Sequence, residues 1–200
     1  VAHRAAEKLS ENFSELERRV RRSAVAHADE TSWWVGGPKW WLWVFATRDA
    51  TLYRVRRSRG RDVVYETLGD DYEGVLVSDC LNIYDGVCEL QQKCYAHHLK
   101  AVSEAMQRHP KDGEGFLRSV RAMLLAAVSL KKAWPEMADD VRRGCRASLE
   151  ENVRRLLLQP RREPAEAAVA NRLGKQIDHL FTFLDHDGVD ATNNLAERQL

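Results

Sequence analysis

Every strand signal in this 200-residue chain falls before residue 97, and from Gly115 to Leu184 the apolar residues recur at helical spacing only. That division limits the fold: a sheet has to be built from the first half, with a block of helices carried as an appendage. In the second half the stripes run through Phe116, Val120, Met123 and Ala127. They continue through Met137, Val141, Cys145, Leu149, Val153 and Leu156, then through Val169, Leu173, Ile177, Leu180 and Leu184. These are three amphipathic helices, separated by "AWPE" and "QPRREPAE", whose prolines suit helix ends and first turns.

In the first half, "AVAHADETSWWV" and "WWLWVFAT" read as a hairpin closed by "GGPK", and "RDAT" turns the chain into a third strand, "LYRVRR". "GRDVVYETLGD" has helical spacing through Val63, Val64 and Leu68, and "GVLVSD" is the short apolar run of a strand buried on both faces. "LNIYDGV" reads as a short helix, "ELQQKCYA" as a fifth strand, and "HHLKAVSEAMQRH" as a helix halted by Pro110. Residues 4–22 carry Leu9, Phe13, Leu16 and Val20 on one helical face and feed into the core from outside. After "DHDGVDAT" a last helix starts, with Asn194 as its cap and Glu197 three residues on, where the carboxylate reaches back to the cap amide.

Hairpin strands followed by crossover strands imply an α/β fold, a mixed sheet with flanking helices. The element order is that of a ribonuclease H-like core with an all-helical insertion before the last helix. The expected division is a linker helix over 1–24, the core over 25–110, the insertion over 111–186 and the start of a C-terminal helix over 187–200. Val1 in the first position, and an end inside a helix pattern, imply a piece of a longer reading frame.

Charged residues make up 30% of the chain and nearly cancel, to a formal net charge of +1, so a nucleic-acid surface has to come from local clustering. Arg54, Arg56, Arg57, Arg59 and Arg61 supply one cluster with no acidic residue among them. It reads either as a strip tracking DNA phosphates or as a solvated edge strand protected from aggregation. The apolar run Met123–Leu130 is far short of a bilayer span and the start lacks a signal-peptide core, so a cytoplasmic chain without membrane contact is expected. Four irregularly spaced cysteines read as reduced thiols. A zinc set of Cys80, Cys88, Cys94 and His97 lacks finger spacing, and a buried thiol beside a hydrogen-bonded histidine suits "CYAH" better. In the hairpin, Trp41 and Trp43 alternate to one face and Trp40 to the other. Core packing is the default for such a set, against nucleotide stacking by Trp33 or Trp34 near Asp29.

Asp79 closes the buried strand and Asp29 lies in the first strand, so the two sit side by side if strands one and four are neighbours. Glu197 arrives from the helix after the insertion. Hard divalent cations prefer such oxygens, and two ions roughly 3.5–4 Å apart activate the attacking oxygen and stabilise the leaving one in phosphoryl displacement. Taken singly, each residue reads equally as a turn or cap residue, and 30 acidic side chains leave room for coincidence.

"HADETSWWVGGPKWWLWVF", "GVLVSDCLNIYD", "CYAHHLK" and "DGVDATNNLAERQL" resemble, in order, blocks of the insertion sequence 66 family of bacterial transposases, of the DDE class. The resemblance runs from about Val25 to the last residue. It implies metal-dependent DNA strand cleavage and strand transfer, with Asp29, Asp79 and Glu197 as the catalytic and metal-binding triad. It further implies two magnesium or manganese ions, DNA at the element ends and target, a homo-oligomer on DNA and accessory proteins of the element. Cys94 and His97 would support the site, with Asn194 starting the helix that carries Glu197. Such families commonly have glycine and a tyrosine near the second Asp, whereas here Cys80 stands directly after Asp79. The alternatives are a catalytically silent DNA-binding remnant and a structure-specific nuclease on the same core.

Overall fold

The computed structural model describes residues 2–34, 36–108, 115–161 and 163–200, with side chains from residue 9 onward. They form two compact units, Val1–Gln92 with Thr192–Leu200, and Lys93–Ala191. The first unit holds α1 (Ala2–Arg21), β1 (Val25–Trp33), β2 (Trp40–Ala46), β3 (Thr51–Arg56), α2 (Arg61–Leu68) and β4 (Val75–Ser78). β5 (Gln91–Lys93) follows, and the sheet order is β3-β2-β1-β4-β5, with β1 antiparallel to β2 and parallel to β4. This is a mixed α/β sheet with flanking helices, as the strand pattern leads one to expect.

One glycine sets the register between β1 and β4. A Cβ on Gly74 would come 2.5 Å from Ser23 O, so only glycine lets the chain draw this close, and Val75 N then donates to Ala24 O at 2.9 Å. From that start Val25 pairs with Val75, Ala26 with Leu76 and His27 with Val77, a constant offset of fifty.

Alternation along β1 separates two faces. Ala26 and Ala28 point into a core with Val20, Trp43, Phe45, Leu52, Val63 and Leu68, where α1 and α2 pack. α1 is held there by Arg21 as well, whose guanidinium donates to the carbonyls of Glu66 and Thr67 at 2.6 and 2.8 Å. The other face carries Val44 and Ala46, covered by Leu195 and Ala196 of the last helix.

The second unit is helical: α3 (Tyr95–Arg108), α4 (Phe116–Ala133), α5 (Asp139–Leu158), α6 (Pro164–Lys175) and α7 (Thr182–Asp185). Leu117, Val120 and Leu124 of α4, Leu149 and Val153 of α5, and Val169 and Leu173 of α6 are buried, as their spacing requires.

Four details differ from the sequence reading. The stripe from Val169 to Leu184 is not one helix: it breaks at Gln176 into a short 3-10 turn, Ile177–His179, and α7. Phe181 and Phe183 are both buried, and two positions about 200° apart cannot face one core on a continuous helix. The fifth strand stops at Lys93 because Tyr95 N donates to Ala191 O and the Tyr95 ring packs edge-on against Phe183, which starts α3 early. "LNIYDGV" gives only a 3-10 turn at Asn82–Tyr84. The last helix, α8 (Asn194–Glu197), has Asn193 and not Asn194 at its cap. Pro110 lies outside the described residues, and among those described no helix is long and apolar enough to cross a membrane.

Candidate functional site

Continuing the β1–β4 offset of fifty by two residues brings Asp29 beside Asp79, on the face of the sheet that α8 covers. Asp29 lies within β1 opposite Val44 of β2, and Asp79 is the first residue after β4. Each carboxylate accepts one backbone amide: Glu30 N donates to Asp29 Oδ1 at 2.9 Å and Leu81 N to Asp79 Oδ1 at 2.9 Å. Among the described residues no cationic side chain pairs with either. Burial pushes the Asp29 carboxyl up to about 7, partly countered by the Glu30 amide. The negative charges of Glu30, Asp79 and Glu197 push it the same way as burial.

Glu197 reaches this face on α8, exposed at the end of a single turn. The turn is held at three points. Ala196 is fully buried against Val44 and Ala46. Tyr53 Oη donates to Gln199 O at 3.0 Å. Asn193, also fully buried, donates from Nδ2 to Ala28 O at 2.8 Å, while its Oδ1 lies 3.3 Å from His27 Nδ1, which supplies the proton. Asn194 is exposed and lies inside the turn, not at its cap as the sequence led one to expect, and its neighbour Asn193 takes the anchoring role. The oxygens of Asp29, Asp79 and Glu197 do not all fall within 4.8 Å of one another. The trio is wider than a one-ion cage.

Two residues of this region escape sequence reasoning. His27 shares the face of Asp29 by alternation, a usable signal, but nothing marks it as the partner of an asparagine 166 residues away. Glu30 points into the core, its side chain 1% exposed, where Arg59 Nη2 approaches at 2.8 Å and Tyr84 donates its hydroxyl. Burial raises the Glu30 carboxyl, and it holds the Tyr84 hydroxyl well above its ordinary range, Glu30 adding to that rise.

The arginine cluster is not one strip. Arg54 is buried between Glu17 and Glu66 at 2.7 and 3.0 Å, Arg56 binds Glu66, and Arg59 binds Glu30. Arg57 stays exposed over the Trp40 ring, and Arg61 is exposed at the start of α2. Cys94 and His97 belong to the helical unit. The buried thiol and a ring nitrogen of His97 lie within 4.8 Å, and Arg172 donates to His97 O at 3.1 Å. His98 is buried and pushed down to about 3, by burial first and then by Arg172, His97 and Lys93. None of the four cysteines is in a disulfide.

A family model described as "Transposase IS66 family" matches residues 1–200, the whole chain. The chain belongs to the IS66 family of transposases. Membership brings DNA as the partner and makes this a DNA-processing protein. No curated protein and no solved structure matches the chain. In this IS66 transposase chain the quoted blocks "HADET", "GVLVSD" and "NNLAER" supply Asp29, Asp79 and Glu197, the acidic residues that meet on one sheet face or carry charge toward it.

Proposed function

We propose that this chain is the catalytic region of a DDE transposase on a ribonuclease H-like core, cleaving the ends of an insertion sequence and transferring the freed strand to target DNA. The observation that carries the reading is the Asp29–Asp79 pair, Asp29 within β1 and Asp79 just past the end of the parallel strand β4, with its charge unbalanced by any described cationic side chain. A carboxylate raised to about 7 with only one amide for a partner fits a divalent cation, which would supply the missing positive charge. Asp29, Asp79 and Glu197 would hold magnesium or manganese, and their spread suits two ions better than one. When bound, the metal would activate the attacking oxygen and stabilise the leaving one.

The chain's own residues do the rest. Glu30 N holds Asp29 Oδ1 and Leu81 N holds Asp79 Oδ1, so both carboxylates are oriented by backbone that the sheet register fixes. Asn193 ties α8 to β1 and thereby aims Glu197. Cys94 and His97 are read as supporting the site, with Asn193 in the role expected of Asn194, and Arg57 and Arg61 as the members of the arginine cluster left to meet phosphate. The all-helical segment over 111–186 is read as an insertion into the core, the whole acting as a homo-oligomer on DNA in the cytoplasm with accessory proteins of the element.

The test is incubation of the full reading frame with labelled element-end DNA and magnesium or manganese, beside the Asp79→Asn variant. Nicked and joined products that need metal and vanish in the variant are expected. Strand transfer unchanged by Asp79→Asn would overturn the reading.

A further inference from the structure

Residues 32–34 and 36–39, on either side of the β1–β2 turn, are exposed, and their composition is unlike the rest of the sheet. Between Glu30 and Asp49, and again between Asp49 and Asp62, the chain has no acidic residue. Trp43 is fully buried, as a core tryptophan should be, but Trp33 is 47% and Trp34 83% exposed. Folding returns little for leaving two adjacent indoles in water, and cations gather around their neighbours. Arg57 lies over the Trp40 ring at 4.8 Å, and Lys39 and Arg59 approach the Trp41 ring at 4.5 and 4.3 Å.

Position matters as much as composition. Trp33 pairs with Trp40 across the hairpin, and alternation puts it on the same sheet face as Asp29. Four residue-to-residue steps along the strand separate the two, about 13 Å, or roughly four stacked-base spacings.

We propose that this hairpin tip is a stacking site for unpaired DNA bases beside the scissile phosphate, with Trp34 and Trp33 taking the bases and Arg57, over Trp40 on the Asp29 face, a flanking phosphate. Indole faces bind any base, and cations beside them follow the backbone without reading sequence. The site therefore selects unpaired strand over duplex. It deepens the transposase reading and rests on it for the location of the cut.

The test is binding by the full chain, without metal, of two labelled DNAs of equal duplex length, one blunt and one carrying a four-nucleotide single-stranded overhang. Trp34→Ala should weaken overhang binding roughly tenfold, the effect of one lost base stack, and change blunt-duplex binding less than twofold. Trp34→Phe should retain most of the preference. Binding to the overhang unchanged in Trp34→Ala, equal loss on both DNAs, or no binding to either overturns the proposal. Because no metal is present, the outcome is separate from catalysis. A preference lost in Trp34→Ala, with no cleavage when magnesium or manganese is added in a separate reaction, would leave the stacking site standing and remove the catalytic reading; metal-dependent cleavage with an indifferent Trp34 would do the reverse.

Discussion

Asp29 and Glu30 are neighbours in one strand, both acidic, Glu30 buried and Asp29 half-buried, and the sheet sends them to opposite faces. On the core face Glu30 is met by Arg59 and the Tyr84 hydroxyl, and its charge is spent on holding the 57–60 segment and the 3-10 turn against β1. Across the sheet, Asp29 meets Asp79 and the charge of Glu197, with one amide to offset them. A compensated buried carboxylate belongs to the architecture. An uncompensated one, kept next to others of its sign, is where the proposed function puts a cation.

The largest effect should come from breaking the compensated side. Glu30→Ala leaves the Tyr84 hydroxyl buried without its acceptor and Arg59 without its partner, and should lower unfolding free energy in urea by about 2–4 kcal/mol. Asn193→Ala comes next. It removes a buried amide that bonds Ala28 O and His27, and should cost about 1–3 kcal/mol while abolishing strand transfer through a loosened α8.

Asp29→Asn should move stability the other way. The folded chain keeps the Asp29 proton up to about pH 7 and the unfolded chain releases it near 3.8, so the folded state binds more protons in that window and loses stability as pH rises through it. The substitution should therefore leave stability unchanged below about pH 3.8. Above pH 7 it should raise stability by about 1–2 kcal/mol, less than the whole shift because water screens part of the charge. Thermal unfolding at pH 3.5 and 8.5 checks both limits. The smallest effect is expected of Arg56→Ala, which removes a surface pair with Glu66 and should change stability by about 0–1 kcal/mol.

Periodicity carried most of the fold. Alternation in "HADETSWW" and the short apolar "VLVS" both marked strands, and the stripe of α4 is buried from Phe116 to Ala127, whereas that of α5 is buried only at Leu149 and Val153, with Val141 exposed and Met137 ahead of the helix. What pattern could not supply was competition between elements. Tyr95 reads as the end of a strand until Ala191 and Phe183 claim it for a helix, and Ile177 reads as helix until two phenylalanines demand the same core. For the site, Asp29 and Asp79 were legible because a strand end and a strand pattern bracket them. Asn193 was missed in favour of Asn194 because two adjacent asparagines look alike until burial separates them. The arginine cluster misled for a related reason: Glu17 and Glu66, which claim Arg54, lie 37 and 12 residues away.

Calorimetric titration of manganese into the full chain at pH 8, beside Asp29→Asn and Asp79→Asn, tests the central claim most directly. The account predicts that each substitution weakens binding by at least about tenfold. It also predicts that wild-type affinity falls as pH drops below about 7, where Asp29 takes up its proton and must lose it to bind metal. Manganese affinity equal in all three proteins, or indifferent to pH between 6 and 8, would contradict it.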